Sequence, residues 1–269
     1  MATFLKIISG NDIKHGSAVT FTNQRGDSEI LSPGVSLNGI HHSGVIEDRM
    51  DVYRFYSGDE SGLQSTATYT VAASADDGKA STAYKSSSSN STYTTSFANS
   101  SSRPYIGANY DDEEIEWQYT ASFVRFDNIV AAQGATIQSA YLKLNKRAYT
   151  GTTNNHDFYV AAIDDDDKAA LTIASQLNHS NFTTAEVAWG INTDTGNGTI
   201  RSAANGTVLK SPDIKTVIQE IVDRSGWSSG NAIVLMVYLK TAPTSASAMV
   251  QFEHIDDTGS VTPQLEITV

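Results

Sequence analysis

Apolar and polar residues alternate with a period of two along many short stretches of this chain. That is the pattern of strands that bury one face and wet the other. In "STATYTVAAS", Thr66, Thr68 and Thr70 oppose Ala67, Tyr69 and Val71. In "SFVRFDNI", Val124 and Phe126 share one face, with Arg125 and Asp127 on the other. "SAYLKLNKRAY" places Ala140, Leu142 and Leu144 inward and Lys143 and Asn145 outward. Near the end, Val250, Phe252 and His254 oppose Gln251 and Glu253, and Leu265, Ile267 and Val269 oppose Gln264 and Glu266. "NHDFYVAAI" and the short "TAEVAWG" read as further strands. "NAIVLMVYL" is almost continuously apolar, which predicts a central strand covered on both faces. Many short strands separated by turns predict an all-β fold, a jelly-roll β-sandwich.

The texture is different at both ends of the first hundred residues. Residues 1–60 mix short apolar pieces with Gly and Pro turns and read as an N-terminal arm or small subdomain, with the module proper over 61–269. In that arm "EDRMDVYRFYSG" fits strand or helix equally. Residues 75–107 are rich in Ser, Thr and Asn and read as loops between short edge strands, with the Asp76-Asp77-Gly78 run as a turn and residues 86–89 as a flexible tip.

One helix stands out, over about 211–225. Ser211 is a natural N-cap, Pro212 suits the first helical position and Asp213 the positive end of the dipole. Ile214, Val217, Ile218, Ile221 and Val222 form a single stripe at i, i+3, i+4, i+7 and i+8. Lys215, Gln219, Glu220 and Asp223 then face water, Arg224 sits at the negative end, and Gly226 is the predicted left-handed stop. Such a helix must lie on something apolar, with Trp227 closing the corner.

Composition narrows the function classes. The 269 residues include no cysteine, which removes disulfides, thiolate metal sites and Cys nucleophiles. A net charge of -12 repels phosphate backbones, so no nucleic-acid partner is expected. No apolar run is long enough to span a membrane, and "MATFLKIISGNDIKHG" has no secretory pattern.

Several of these segments together resemble a known type of module. "SFVRFDNIVAAQGATIQSAYLKL", "TTAEVAWG", "SPDIKTVIQEIVDRSGWSSGNAIVLMVYL" and "PQLEITV" resemble the jelly-roll modules called DNRLRE-like, similar to carbohydrate-binding modules. Such modules occur on secreted polysaccharide-active enzymes and surface proteins and in bacteriophage virion proteins. The resemblance covers roughly residues 65–269. It implies a jelly-roll and supplies no catalytic motif; Trp189 and Trp227 fit its pattern as structural residues.

Two kinds of residue carry candidate chemistry. Asp164, Asp165, Asp166 and Asp167 form a dense acidic turn, as do the acids at 111–114. Hard cations such as Ca²⁺ take oxygens from closely spaced carboxylates, and jelly-roll carbohydrate-binding modules often hold a structural calcium. The plainer reading is a turn of solvated acids, and no cofactor is required. Sugar-binding faces stack pyranose rings on aromatics, and Tyr105, Tyr110, Trp117, Tyr119, Tyr149 and Tyr159 are the glycan-binding candidates, each with packing as its plainer role. Glu116, Glu253 and Glu266 alternate outward and form no marked acid pair, so no enzyme is expected. The parity of His254 makes it a hydrogen-bonded core histidine, while the adjacent His41 and His42 point opposite ways and lack a third ligand.

The resemblance and the unmatched first sixty residues lead to one expectation. It is a non-enzymatic bacteriophage virion structural protein, a capsid decoration, head-fibre or tail-associated component made in the host cytoplasm. It would dock on capsid or tail proteins through the N-terminal segment, display a module that binds surface glycans, and form a homo-oligomer. The alternative is a carbohydrate-binding module of a secreted, extracellular polysaccharide-active protein.

Overall fold

The structure is a computed structural model. It describes residues 65–269 except 85–95, 100–104, 112–115, 152–156, 193–194, 241–247 and 258–260, and four strands within the first 64 residues. The chain divides into two compact units, Met1–Gln64 and Ser65–Val269.

In the first unit β1 (Thr3–Leu5) pairs antiparallel with β4 (Phe55–Ser57), and β2 (Val19–Thr22) with β3 (Ser28–Leu31). The segment left open between strand and helix therefore contributes strand at Phe55–Ser57.

The second unit is a β structure with one α-helix among the described residues, and its strands form one curled antiparallel sheet. They are β5 (Thr66–Thr70), β6 (Asp77–Tyr84), β7 (Ser96–Ala98), β8 (Tyr105–Asp111), β9 (Glu116–Phe126), β10 (Ser139–Gly151), β11 (Asp157–Ala162), β12 (Val187–Gly190), β13 (Val208–Lys210), β14 (Ile233–Leu239), β15 (Ala248–Phe252) and β16 (Gln264–Thr268). The order across the sheet is β12-β11-β14-β9-β8-β15-β10-β16-β5, with β13 beside β10, β6 beside β9 and β7 beside β6. Strand β10 pairs with β16 and β13 over its first half and with β15 over its second. A bulge between Lys146 and Ala148 separates the two halves, the usual device by which a strand bends and a sheet curls.

Ala140, Leu142 and Leu144 share one core cluster with Leu265 and Ile267 of the adjacent β16 and with Val124, Phe126, Leu235 and Val237 of β9 and β14. The alternation predicted for β5, β9 and β16 is the one observed, and that of β10 holds as far as Leu144. All seven residues of β14 are buried. Ile233, Leu235, Val237 and Leu239 join the main core, whereas Val234, Met236 and Tyr238 join a second cluster with Phe123, Leu171 and Leu177.

Three expectations fail here for identifiable reasons. In the segment expected to be loops with a turn at Asp76-Asp77-Gly78, a 3-10 turn spans Ser74–Asp76, but Asp77 and Gly78 start β6, which pairs with β9 from Asp77↔Val124 to Tyr84↔Trp117. Gly78 serves close approach rather than a turn: a Cβ there would sit 2.1 Å from the carbonyl oxygen of Ala98 on β7. The inward–outward pattern of β10 breaks at its bulge, where Asn145 and Lys146 are both buried. Glu253, expected to be wet, is 9% exposed and pairs with Arg147 at 3.1 Å.

The helix α1 is Lys215–Val222, shorter than the predicted span. Ser211 is not its N-cap, which is Ile214, and Pro212 lies ahead of the first turn; Ser211 and Asp213 extend the β10 ladder instead. Ser211 Oγ accepts the Leu142 N–H at 2.9 Å, and Asp213 Oδ1 accepts the N–H groups of Ala140 and Lys215, both at 3.0 Å. Asp213 thus joins strand edge to helix start. At the other end Gly226 is not left-handed; the Val222 carbonyl accepts the Gly134 N–H at 3.0 Å. The stripe Ile214, Val217, Ile218, Ile221 and Val222 is wholly buried, and α1 packs against β10 and β11. Gln219 and Glu220 do not face free water: Gln219 holds the Ile137 N–H, and Glu220 the N–H groups of Thr184 and Ala185. Trp227 closes the corner as expected, donating to the Ala131 carbonyl at 2.9 Å.

Candidate functional site

The acidic turn follows β11, where the strand leaves the sheet and passes the end of α1. Each carboxylate meets a partner within the protein. Arg224 binds both Asp164 and Asp166, Asp165 pairs with Lys168 at 2.9 Å, and Asp167 accepts the Ala232 N–H at 2.9 Å. Lys168, with the Asp167 N–H and Arg224, holds the Asp165 carboxyl below the usual range despite the opposing effect of its partial burial. Gly226 allows the approach, since a Cβ there would lie 2.0 Å from Asp166 Oδ2. Two of the four acids, Asp164 and Asp166, thus hold Arg224 just beyond the helix end, while Asp165 and Asp167 tie the turn to Lys168 and to the backbone ahead of β14. Among the described residues no group of three His, Cys, Asp or Glu is placed to hold a metal ion. The acids at 112–114 lie outside the described residues.

The run Asp76-Asp77 is built differently. Asp76 accepts from Arg125 at 3.0 Å and from the Ala73 N–H. Asp77 is 0% exposed, and its Oδ1 lies 2.7 Å from Nε2 of His254, itself 1% exposed. Asp77 Oδ2 also accepts the Ile255 N–H at 3.1 Å, so one carboxylate joins the start of β6 to the segment after β15. Nδ1 of His254 faces both the N–H and the carboxylate of Asp256, at 3.2 and 3.3 Å. The ring therefore finds a partner there whether that nitrogen carries a proton or not. Burial alone would drive the proton off His254; the Asp77 carboxylate more than offsets it and holds the pKa above the usual histidine value. Burial likewise makes Asp77 reluctant to ionise. His254 is the core histidine its parity implied.

A third polar feature sits at the bulge. Lys146 is 2% exposed, with its ammonium on the carbonyls of Arg201 and Ala203 at 3.2 and 2.6 Å, and burial lowers its pKa. It ties the 201–203 turn to β10, a role no periodicity in the sequence marks.

The six aromatic candidates are not brought to one surface. Tyr119 is 1% exposed and belongs to the main core, so it offers no face to a glycan. Tyr149 packs against the same core, on the face shared with Val250 and Ile106, and burial raises its pKa. Tyr105 alternates to the opposite face, half-buried beneath Lys79, whose Nζ stands 4.3 Å from the ring centroid. Tyr110 and Trp117 are cross-strand partners of β8 and β9 whose side chains lie outside the described residues.

Tyr159 finds company. It faces Tyr238 across β11 and β14, with ring centroids 6.2 Å apart. His179 lies 4.5 Å from Tyr238 and 5.1 Å from Phe182. Glu186 accepts the Tyr238 hydroxyl at 2.7 Å and pairs with Lys240, whose ammonium stands 5.2 Å from the Tyr159 ring. Burial among the rings lowers the His179 pKa to about 4, so it is neutral at pH 7. Partial burial raises the Glu186 pKa, but Lys240 and the Tyr238 hydroxyl outweigh it, so the group stays ionised. Tyr238 is buried beneath the patch, so only the partly exposed rings of Tyr159, His179 and Phe182, with the carboxylate and the ammonium, are placed to meet a sugar ring and its hydroxyls. An ionised Glu186 beside a lysine does not make a general acid. Sequence reading named Tyr159 but missed His179, Phe182, Glu186 and Lys240, because irregular segments bring them together. Comparison with protein-family models and with curated proteins finds no match, so the residue arrangement itself carries any functional reading.

Proposed function

We propose that this chain is a non-enzymatic bacteriophage virion structural protein. In this reading Met1–Gln64 docks on capsid or tail proteins and Ser65–Val269 is a jelly-roll module displayed outward. The observation that carries it is the division into two compact units. In the larger one Asp164 and Asp166 hold Arg224 just after α1, and the buried Asp77–His254 pair ties the start of β6 to the segment after β15. The test is a chain lacking residues 2–64, checked for folding by circular dichroism and then mixed with bare particles. Full-length protein is expected to co-sediment with particles and the truncated chain to stay in the supernatant. Co-sedimentation of both at equal levels overturns the docking role.

The patch around Tyr159 favours a second reading, compatible with the first, in which the module binds glycans as carbohydrate-binding modules do. Titration of neutral and acidic oligosaccharides, followed by tyrosine and tryptophan fluorescence, checks it. Tyr159→Ala is expected to weaken binding at least tenfold; no saturable signal at millimolar sugar removes this reading.

A further inference from the structure

We propose that β5 is a self-association edge, through which two copies of this chain pair antiparallel. Strand β5 ends the sheet path and, among the described residues, is paired only with β16. The ladder fixes which of its groups are spent. Ser65 and Val269 exchange both N–H···O bonds, at 3.1 and 3.0 Å, and the Val71 N–H reaches the Pro263 carbonyl. Antiparallel pairing alternates, so Ser65, Ala67, Tyr69 and Val71 point their backbone groups at β16. Thr66, Thr68 and Thr70 point theirs outward, leaving three donors and three acceptors in a row.

Natural sheet edges are normally short, charged, bulged or broken by proline to prevent such pairing. The other end of the path obeys this: β12 has four residues and starts beside Glu186. Strand β5, one residue longer than β12, is neither charged, bulged nor broken by proline. From Ser65 to Ala75 there is no charged residue, no proline and no glycine, in a chain of net charge -12. Two copies of an acidic protein meet least repulsion along such a strand. On the neighbouring strand Glu266, directly opposite Thr68 on the same face, is matched by Lys143 at 2.6 Å and Lys210 at 3.7 Å, so the approach brings no excess of negative charge.

The occupant that fits is a second β5. A two-fold axis at Thr68 sets Thr68 opposite itself and Thr66 opposite Thr70, so that all the outward groups meet as hydrogen-bonded pairs. The exposed side chains then form a threonine ladder, a favourable cross-strand pairing.

The absence of cysteine permits a register-specific test on the full chain. Wild-type protein is expected to sediment at twice 28.9 kDa, with dimer lost in Thr68→Lys, which sets like charges on the axis. Under mild oxidation Thr68→Cys is expected to cross-link to itself, because opposed residues lie about 5.5 Å apart. Thr70→Cys alone is not, since its copies lie about 14 Å apart along the strands. A mixture of Thr66→Cys and Thr70→Cys is expected to cross-link. A wild-type monomer at 100 μM overturns the proposal, as does cross-linking of Thr70→Cys as fast as Thr68→Cys. So does slow hydrogen exchange at the Thr66, Thr68 and Thr70 amides in a monomer, which would mean the chain covers its own edge.

Discussion

Two runs of aspartate in this protein look alike in sequence and do opposite work. Asp164 to Asp167 form a partly exposed turn whose carboxylates are shared between Arg224, Lys168 and a backbone N–H. Asp76 ends a short 3-10 turn and Asp77 opens a strand, where it is sealed in the interior against His254. The denser run drew the metal-binding expectation and the sparser one was set down as a turn, yet the sparser one holds the more consequential group. A carboxylate's energetic weight follows the water it has lost, not the number of acids beside it. A partly exposed pair is worth about 1 kcal/mol or less, whereas removing one partner of a buried pair leaves an uncompensated polar group.

The largest expected effect is at the buried run. Asp77→Ala strands His254 and removes the acceptor of the Ile255 N–H; a loss of roughly 3–5 kcal/mol is expected in urea or thermal unfolding. A cost no larger than that of Asp166→Ala would break the contrast. Gly78→Ala comes next. Its Cβ would press on the Ala98 backbone, which cannot swing aside, and an overpacking cost of about 1–3 kcal/mol is expected. Gly226→Ala meets the movable Asp166 carboxylate instead and is expected to cost clearly less in the same assay.

The two runs should also separate by pH. The folded pKa of His254 is raised, so its stabilisation is complete below the unfolded value of 6.5 and is lost as pH rises through the folded value. Asp165 has a depressed pKa, so its contribution is present above 3.8 and is lost as pH falls through its folded value. Melting temperatures from pH 6 to 9 should fall more steeply in wild type than in His254→Gln. His179 adds a third limb: its folded value of about 4 means that lowering pH from 6.5 toward 4 withdraws stability, and His179→Phe should flatten that limb. Arg224→Gln is a smaller change, at about 1 kcal/mol or less, and salt should diminish it. The smallest effect is that of calcium. Millimolar Ca²⁺ should move the melting temperature by less than about 1 °C, because a cation must first displace Arg224 and Lys168. A rise of several degrees would return the acidic turn to the metal-binding class.

Periodicity alone was sufficient for β5, β9, β14 and β16, for β10 as far as Leu144, and for the apolar stripe of α1. A strand or helix that buries one face must write that face into its sequence at period 2 or 3.6, and burial of those residues is the dominant driving force. The parity of His254 was legible for the same reason. Tertiary structure alone decided where partners come from. Asp77 and His254 lie 177 residues apart, Gly78 owes its identity to a backbone on another strand, and Ser211 and Asp213 serve a strand edge ahead of the helix. Lys146 is inward because of one bulge. The aromatic patch joins Tyr159 to residues from segments without periodicity. Such partnerships depend on where distant segments meet, and local spacing carries no record of that. The one exception is β5, whose uncharged alternation is legible in ten letters, although its place at the edge of the sheet came only from the fold.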